Sequence, residues 1–404
     1  MSIFYVIFIL LTAYFSFRYD GIEEYDSHKQ HRLWLMCGYL ICLSGFSYGL
    51  GGDKFAYMED FEEYPSNLSE AADTIWIQFM MKGHMPLWVL VNLLGKSIFH
   101  SFYAIQFIES AAINIAVCYV VTKYTHRYFI FLLVYFFSLQ YFIFNTEVMR
   151  EGFAMAFMLI GMHGWLSNKK WLFFLCIPIG ALFHIAALTV IIFPFMKFRI
   201  SRNGVIYGLI IAFVIWLASD LLLGKIMMTV AGGLGSMVQK VLFYSIKASN
   251  IVGFTRSAFT YIIFPFIIMY TVVSHEEDEE QKRRKEQMLA FALVLGIVVC
   301  SFTGFVRLYN YTRIFYLIML SDFIYMLFRY KEHFIIRIGT LAGTVFLIGL
   351  LYMTHYKTTN TRYYDYFYPY TCILNKDRSV FIREIAHQEA TFEEEKEDNV
   401  RDIK

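Results

Sequence analysis

Apolar runs of about twenty residues recur from Phe4 to Met353, separated by short polar gaps. A run of that length can satisfy its own backbone hydrogen bonds as a helix in lipid, where no water is present to do so. The pattern predicts an all-α fold of about twelve transmembrane helices, at roughly 2–17, 33–50, 101–122, 128–144, 152–166, 171–184, 185–197, 204–223, 257–273, 288–304, 312–328 and 333–353. The stretch 75–99 is equally apolar but is broken by Gly83, Pro86 and Gly95, and reads as a re-entrant or interfacial segment. Residues 1–375 thus form one transmembrane domain, and 376–404 a polar tail ending in EEEKEDNVRDIK. The first run, Ser2 to Phe17, has no basic segment before it and no small-residue cleavage site after it, so it reads as a retained span. The charged run at 274–287 reads as a solvated connector. Residues 223–256, interrupted at Gly232, Gly233 and Gly235, read as an amphipathic helix on the membrane surface.

Composition removes the soluble alternative: of 404 residues 58% are hydrophobic and 17% charged, with a mean hydropathy of +0.50. The net charge of +2 is small and the basic residues are scattered, so no nucleic-acid partner is indicated. Six cysteines, none in a C-x-x-C pair and five within apolar runs, argue against a disulfide framework or a structural zinc site. Lysine and arginine in short loops set the orientation, because they stay in the cytoplasm. With Met1 outside, seventeen of them lie in cytoplasmic loops and ten outside, the remaining eight following Thr354. Were 75–99 to cross, the clusters SNKK, KFRISR and QKRRK would all face outward.

Ionisable side chains at span ends are costly, roughly 2.5–3.5 kcal/mol at the bilayer centre, and so are functional candidates. Four groups stand out, all at the predicted outer ends. GLGGDKFAY at 49–57 offers Asp53 and Tyr57 after a glycine-rich exit, though glycine there is also an ordinary helix stop. FNTEVMREGFAMAFML at 144–159 places Glu147, Arg150 and Glu151 at i, i+3 and i+4, so they share one face at the start of a span; a local ion pair is the blander explanation, and two acids beside one arginine at a membrane edge could instead hold a polar substrate. GALFHIAAL at 180–188 holds His184 between two apolar runs that are each short for a span, the geometry of a hairpin of half-length helices. TGFVRLYNYTRIFYL at 303–317 holds Arg307 and Arg313 around Tyr309, Asn310 and Tyr311; six apart, the arginines cannot share a helical face, so Arg307 is expected on the turn and Arg313 in the first helical turns. Arginine forks match phosphate oxygens bidentately, which suggests a phosphate-linked substrate at the outer face. Tyrosine-rich loops, including RYYDYFYPY at 362–370, fit sugar binding, although a membrane aromatic belt accounts for most of the aromatic residues.

The same residues carry a family resemblance. GGDKFAY near the second span, MREGFAMAFMLIGMHGWLSNKKWLFFLCIPIGALFHIAAL, and FVRLYNYTRIFY followed by YFYPY resemble, in order and spacing, the EpsG family of Wzy-type polysaccharide polymerases. The likeness covers nearly the whole chain and is most specific from Arg150 to Ala187. The departures are Glu151 where glutamine is common and Lys54 where an aromatic is usual. The resemblance implies an architecture similar to the GT-C glycosyltransferases. It also implies an enzyme of the bacterial inner membrane that joins undecaprenyl-diphosphate-linked oligosaccharide repeats into O-antigen, capsule or exopolysaccharide at the outer face. Flippase and chain-length regulator proteins would be its partners, and it would need no cofactor and no metal. No Asp-x-Asp lies in an outside loop, which is compatible with that. On this reading Arg150, Arg307 and Arg313 bind the diphosphate, Asp53, Tyr57, Tyr309 and Tyr311 the sugars, and His184 takes the acceptor proton, with Glu147, Glu151 or Asp53 as substitutes. The rivals are a transporter of the same lipid-linked glycan and a GT-C transferase using a polyprenyl-phosphate sugar. A transporter should place its costly residues near the midplane between inverted repeats.

Overall fold

The computed structural model of the chain describes residues 3–24, 26–230, 251–329, 367 and 370–374. Thirteen α-helices order the described chain: α1 Ile3–Tyr19, α2 Ser27–Gly45, α3 Asp53–Glu63, α4 Ala71–Lys82, α5 Pro86–Phe99, α6 Phe102–Tyr124, α7 Tyr128–Phe137, α8 Met149–Leu166, α9 Lys170–Ala181, α10 Arg202–Val230, α11 Ile251–Ser274, α12 Glu279–Ser301 and α13 Asn310–Arg329. A half-helix, Gln140–Glu147, follows α7, and two 3-10 segments, Ile185–Phe195 and Thr303–Tyr309, precede α10 and α13. Helix α6 packs between α2 and α8, α9 folds back on α8, and α12 packs with α10, α11 and α13. Helix α7 bridges α1 and α13.

The molecule is a helical membrane protein, but the expected dozen full-length spans is not what its described residues contain. Three helices are long and apolar enough to cross, α6, α11 and Phe305–Phe328, or four if the bent pair Tyr128–Phe137 and Gln140–Glu147 is one crossing. Of the rest, α2, α8 and α12 are long enough but too polar, and breaks shorten others. The predicted span 128–144 bends by 77°, at Leu139 in the left-handed region (φ 59°), and its far half ends in a π turn. The predicted hairpin at His184 is present, with α9 ending at Ala181, but its second arm is a 3-10 helix. The break expected at Gly83 and Pro86 is also present, Gly83 capping α4 with φ 68°. The run 274–287 is not a mere connector. Asp278 accepts from the amides of Glu280 and Gln281 to cap α12, which begins inside that run. Lys285, buried, pairs there with Glu276 at 2.7 Å and with Asp322 at 3.0 Å. The predicted span 333–353, the tail and most of the proposed surface helix at 223–256 lie outside the described residues.

A buried polar stripe on α6 explains how the bent segment survives among apolar neighbours. Asn145 of the π turn accepts from Asn114 (2.6 Å) and Ser110 (3.1 Å), and Ser44 at the end of α2 donates to the carbonyl of Asn145 (3.2 Å). Gln106 donates to the carbonyls of Ser44, Gly45 and Ser47 at 2.7, 3.0 and 2.9 Å. Ser44 thus meets a carbonyl of the π turn, Ser110 and Asn114 anchor the Asn145 side chain, and Gln106 meets the free carbonyls at the end of α2, as burial requires.

Candidate active site

The glycine-rich exit from α2 closes against the π turn. Gly51 (φ +89°) takes a conformation that strains other residues, and a Cβ there would stand 2.5 Å from the carbonyl oxygen of Thr146. The turn this permits aims the amide of Gly52 at Glu147, whose Oε2 accepts it at 2.7 Å. Glu147 is therefore the clasp between the first motif and the second, with Asp53 close enough to act on its charge.

Glu147, Arg150 and Glu151 do not share a helical face. Glu147 ends the π turn, Val148 (φ −117°, ψ 60°) breaks the chain, and α8 starts only at Met149. None of the ion pairs within 4.0 Å among the described residues joins the three. Each reaches a different element instead. The guanidinium of Arg150 lies over the ring of Tyr57 on α3, 5.5 Å from its centroid. Glu151, buried, accepts from Asn310 at the start of α13 (3.0 Å), and its other oxygen has no hydrogen-bond partner.

His184 caps the 3-10 arm of the hairpin, with its Nδ1 3.4 Å from the hydroxyl of Tyr311. The hairpin is packed onto α8 by rings: Phe183 stacks on Phe153 (4.8 Å) and on Phe157 (5.7 Å), and Trp88 of α5 meets both Tyr57 and Phe153. Arg307 sits on the 3-10 turn and Arg313 in the first turns of α13, as the spacing predicts. Arg307 is exposed, yet its charge acts on Tyr57, Glu147, Glu151 and His184. The charge of Arg150 acts on His184 and Tyr64, and that of Arg313 on Glu151, Tyr261 and Tyr309. Tyr309 is buried edge-on against Tyr261 at 4.9 Å, and Tyr57 and Tyr311 are buried too, so these rings pack the walls of the site.

Four motifs scattered over more than 250 residues thus meet in one electrostatic neighbourhood, Arg307 acting on Glu147, Arg307 and Arg313 on Glu151, and Arg150 and Arg307 on His184. The Nε atoms of Arg150 and Arg313 are enclosed and bond to no protein acceptor. Among the described residues no group of three or more His, Cys, Asp or Glu is arranged to hold a metal ion. Two residues beside the site escaped the sequence reading. Glu109 is an acid inside the predicted span 101–122, the signal that should have found it. Lys54 carries its own mark, a cation next to Asp53, but nothing in the sequence shows that it is buried.

A family model described as the EpsG family matches residues 33–372. No curated protein and no solved structure matches the chain, so the expected likeness to GT-C glycosyltransferases finds no counterpart among solved structures.

Proposed function

This chain belongs to the EpsG family, and from that premise we propose that it is a polysaccharide polymerase that extends lipid-diphosphate-linked oligosaccharide repeats at the outer face of the bacterial inner membrane. The observation that carries the reading is the convergence of Arg150, Arg307 and Arg313, from three separate elements, on Glu147, Glu151 and His184. In the reaction a hydroxyl at the non-reducing end of the acceptor repeat attacks the anomeric carbon of the donor. The bond from that carbon to the diphosphate breaks, and the polyprenyl diphosphate leaves as an anion. A diphosphate is already a good leaving group, so the protein has two tasks: to stabilise developing negative charge and to remove one proton.

The guanidinium groups do the first, Arg150 held by ring packing before substrate arrives. Arg150 is held over Tyr57, and Glu151 ties α8 to Asn310 so that Arg307 and Arg313 are presented beside it. His184 does the second, with Tyr311 orienting the ring through Nδ1 and leaving Nε2 to take the proton. Asp53, after the Gly51–Gly52 turn that Glu147 holds at 2.7 Å, would accept hydrogen bonds from sugar hydroxyls, with Glu147 or Glu151 as substitute for His184. A flippase would deliver each repeat to this face and a chain-length regulator would act on the product.

The test is reconstitution of the full chain in liposomes with purified lipid-diphosphate-linked repeats, without ATP and with a chelator. Chain growth that His184→Ala abolishes, leaving single repeats intact, is the expected result. Transbilayer movement of repeats without growth would replace the polymerase by a transporter. Cysteine labelling fixes the face: Lys169→Cys, at the exposed turn between α8 and α9, is expected to react only from the cytoplasm. Reaction from outside would move the arginine cluster to the inner face.

A further inference from the structure

The hairpin that carries His184 at its tip has two feet. Helix α9 runs from Lys170 to Ala181, and beyond His184 the 3-10 arm Ile185–Phe195 leads back to Lys197. Both feet meet one indole. Trp165, in the last turn of α8, has the ammonium of Lys170 5.5 Å from its ring centroid and that of Lys197 at 5.1 Å. The ring itself is held by Phe173 at 5.3 Å and Phe174 at 6.4 Å, both on α9. Fifteen residues after Arg150 on the same helix, Trp165 lies roughly 22 Å from it along the axis, at the end of α8 remote from the arginine cluster.

Neither ammonium has an acid beside it. Among the described residues no carboxylate lies within 4.0 Å of Lys170 or Lys197, whereas Arg199, two residues further on, has Glu286 at 3.6 Å. The face of an indole attracts a cation, but it cannot cancel the repulsion between two of them. The start of α9 adds to the excess. Its first turn holds no acidic residue, Lys169 precedes it without a side-chain cap, and the free amides of a helix N-terminus carry partial positive charge. Lys169, Lys170 and Lys197 are all exposed, so this positive charge is open to an anion from outside the protein.

The neighbouring surface is apolar. Trp171 and Phe174 on α9, and Phe195 and Phe198 on either side of Lys197, are exposed. Exposed rings beside exposed ammonium groups mark the boundary between acyl chains and water in a helical membrane protein. A free phosphate ion could use only the cations, whereas a phospholipid uses the cations and the rings together.

We propose that the Lys170–Trp165–Lys197 cluster binds the phosphodiester headgroup of an anionic phospholipid, whose acyl chains lie along Trp171, Phe174, Phe195 and Phe198. The phosphate supplies the counter-charge that neither foot of the hairpin finds in the protein, and so ties α9 and the 3-10 arm to the end of α8. The site is independent of the polymerase reading, because membrane lipid is its ligand whatever reaction the arginine cluster performs.

Thermal unfolding of the full chain in a neutral detergent, titrated with phosphatidylglycerol, tests the site. The melting temperature is expected to rise with phosphatidylglycerol. It is not expected to rise with equal amounts of phosphatidylcholine, whose choline offsets the phosphate charge, or of inorganic phosphate, which has no chains. In Lys170→Gln/Lys197→Gln the phosphatidylglycerol concentration that gives half the rise is expected to increase about 25-fold, since each lysine at an anionic lipid surface contributes about a factor of five. Lys282→Gln/Arg283→Gln removes the same two charges from α12 and is expected to keep the wild-type midpoint. Equal weakening in the two double variants would reduce the effect to overall charge. An equal rise with phosphatidylcholine would reduce it to chain packing, and an equal rise with inorganic phosphate to a free-anion site; each of these results, like no rise at all in the wild type, would overturn the lipid site. Native mass spectrometry of the same samples reads binding without unfolding, and is expected to show one fewer retained phosphatidylglycerol in Lys170→Gln/Lys197→Gln. An unchanged number would overturn the site as well.

Discussion

Gly152→Ala is the substitution whose sign the structure decides against ordinary expectation. In an unobstructed helix interior, glycine to alanine gains about 1 kcal/mol, since alanine loses less backbone entropy. Gly38, within α2, is such a site: nothing lies within 4 Å of a Cβ built there. At Gly152 the added methyl meets Glu109 Oε1 at 2.1 Å and the carbonyl oxygen of Phe144 at 2.5 Å. The carboxylate is the end of a side chain and can swing, but the carbonyl belongs to the backbone of the bent segment, which the α6 stripe fixes on its other side. Overpacking against such a wall costs about 1–3 kcal/mol, which cancels or outweighs the helix gain. The two alanine variants are therefore expected to differ by about 1–3 kcal/mol, Gly38→Ala above wild-type stability and Gly152→Ala at or below it. Chain growth is expected to fall more than stability, because displacing Glu147 and Arg150 by a few tenths of an ångström to one ångström can cost about 100-fold in rate. The assay is thermal unfolding of the purified chain in one detergent, alongside polymerisation at equal membrane abundance. Equal melting temperatures for the two variants, with wild-type growth by Gly152→Ala, would refute the close approach.

Arg150→Lys and Arg307→Lys are each expected to impair polymerisation at unchanged abundance, because an ammonium supplies charge without the two-pronged fork; full activity in both, measured on lipid-linked ladders, would make them membrane anchors. Stability at the opposite end of the molecule carries a pH signature. Burial pushes the Asp20 carboxyl up to about 6, although the amides of Ile130 (2.8 Å) and Phe129 (3.2 Å) oppose the shift. The folded chain then binds more protons than the unfolded one between about pH 4 and 6, so the contribution of Asp20 to stability is full below that window and lost as pH rises through 6. Asp20→Asn is expected to flatten this fall in detergent unfolding between pH 4 and 7, and an equally steep fall in the variant would locate the titration elsewhere.

Much of this protein was legible in one dimension, for reasons that are local. The density of apolar residues forces helices because the bilayer offers backbone groups no other partner, and Gly83, Pro86 and His184 mark real breaks because glycine, proline and a polar side chain disturb a helix wherever it lies. The motif residues were recognisable as costly, since Asp53, Glu147, Arg150, Glu151, Arg307 and Arg313 are expensive at span ends whatever surrounds them. The geometry among them was not legible. Helical spacing puts Glu147 on the face of Arg150, but the π turn and the break at Val148 turn it toward Gly52 of another motif. Length counting makes 128–144 one span, but a stripe of side chains on α6 stabilises a 77° bend that the segment's own sequence does not announce. A charge run reads as solvated until Asp322, far along the chain, buries Lys285. Charge compensation acts through space at short range, and the chain order holds no record of which distant groups that range will include.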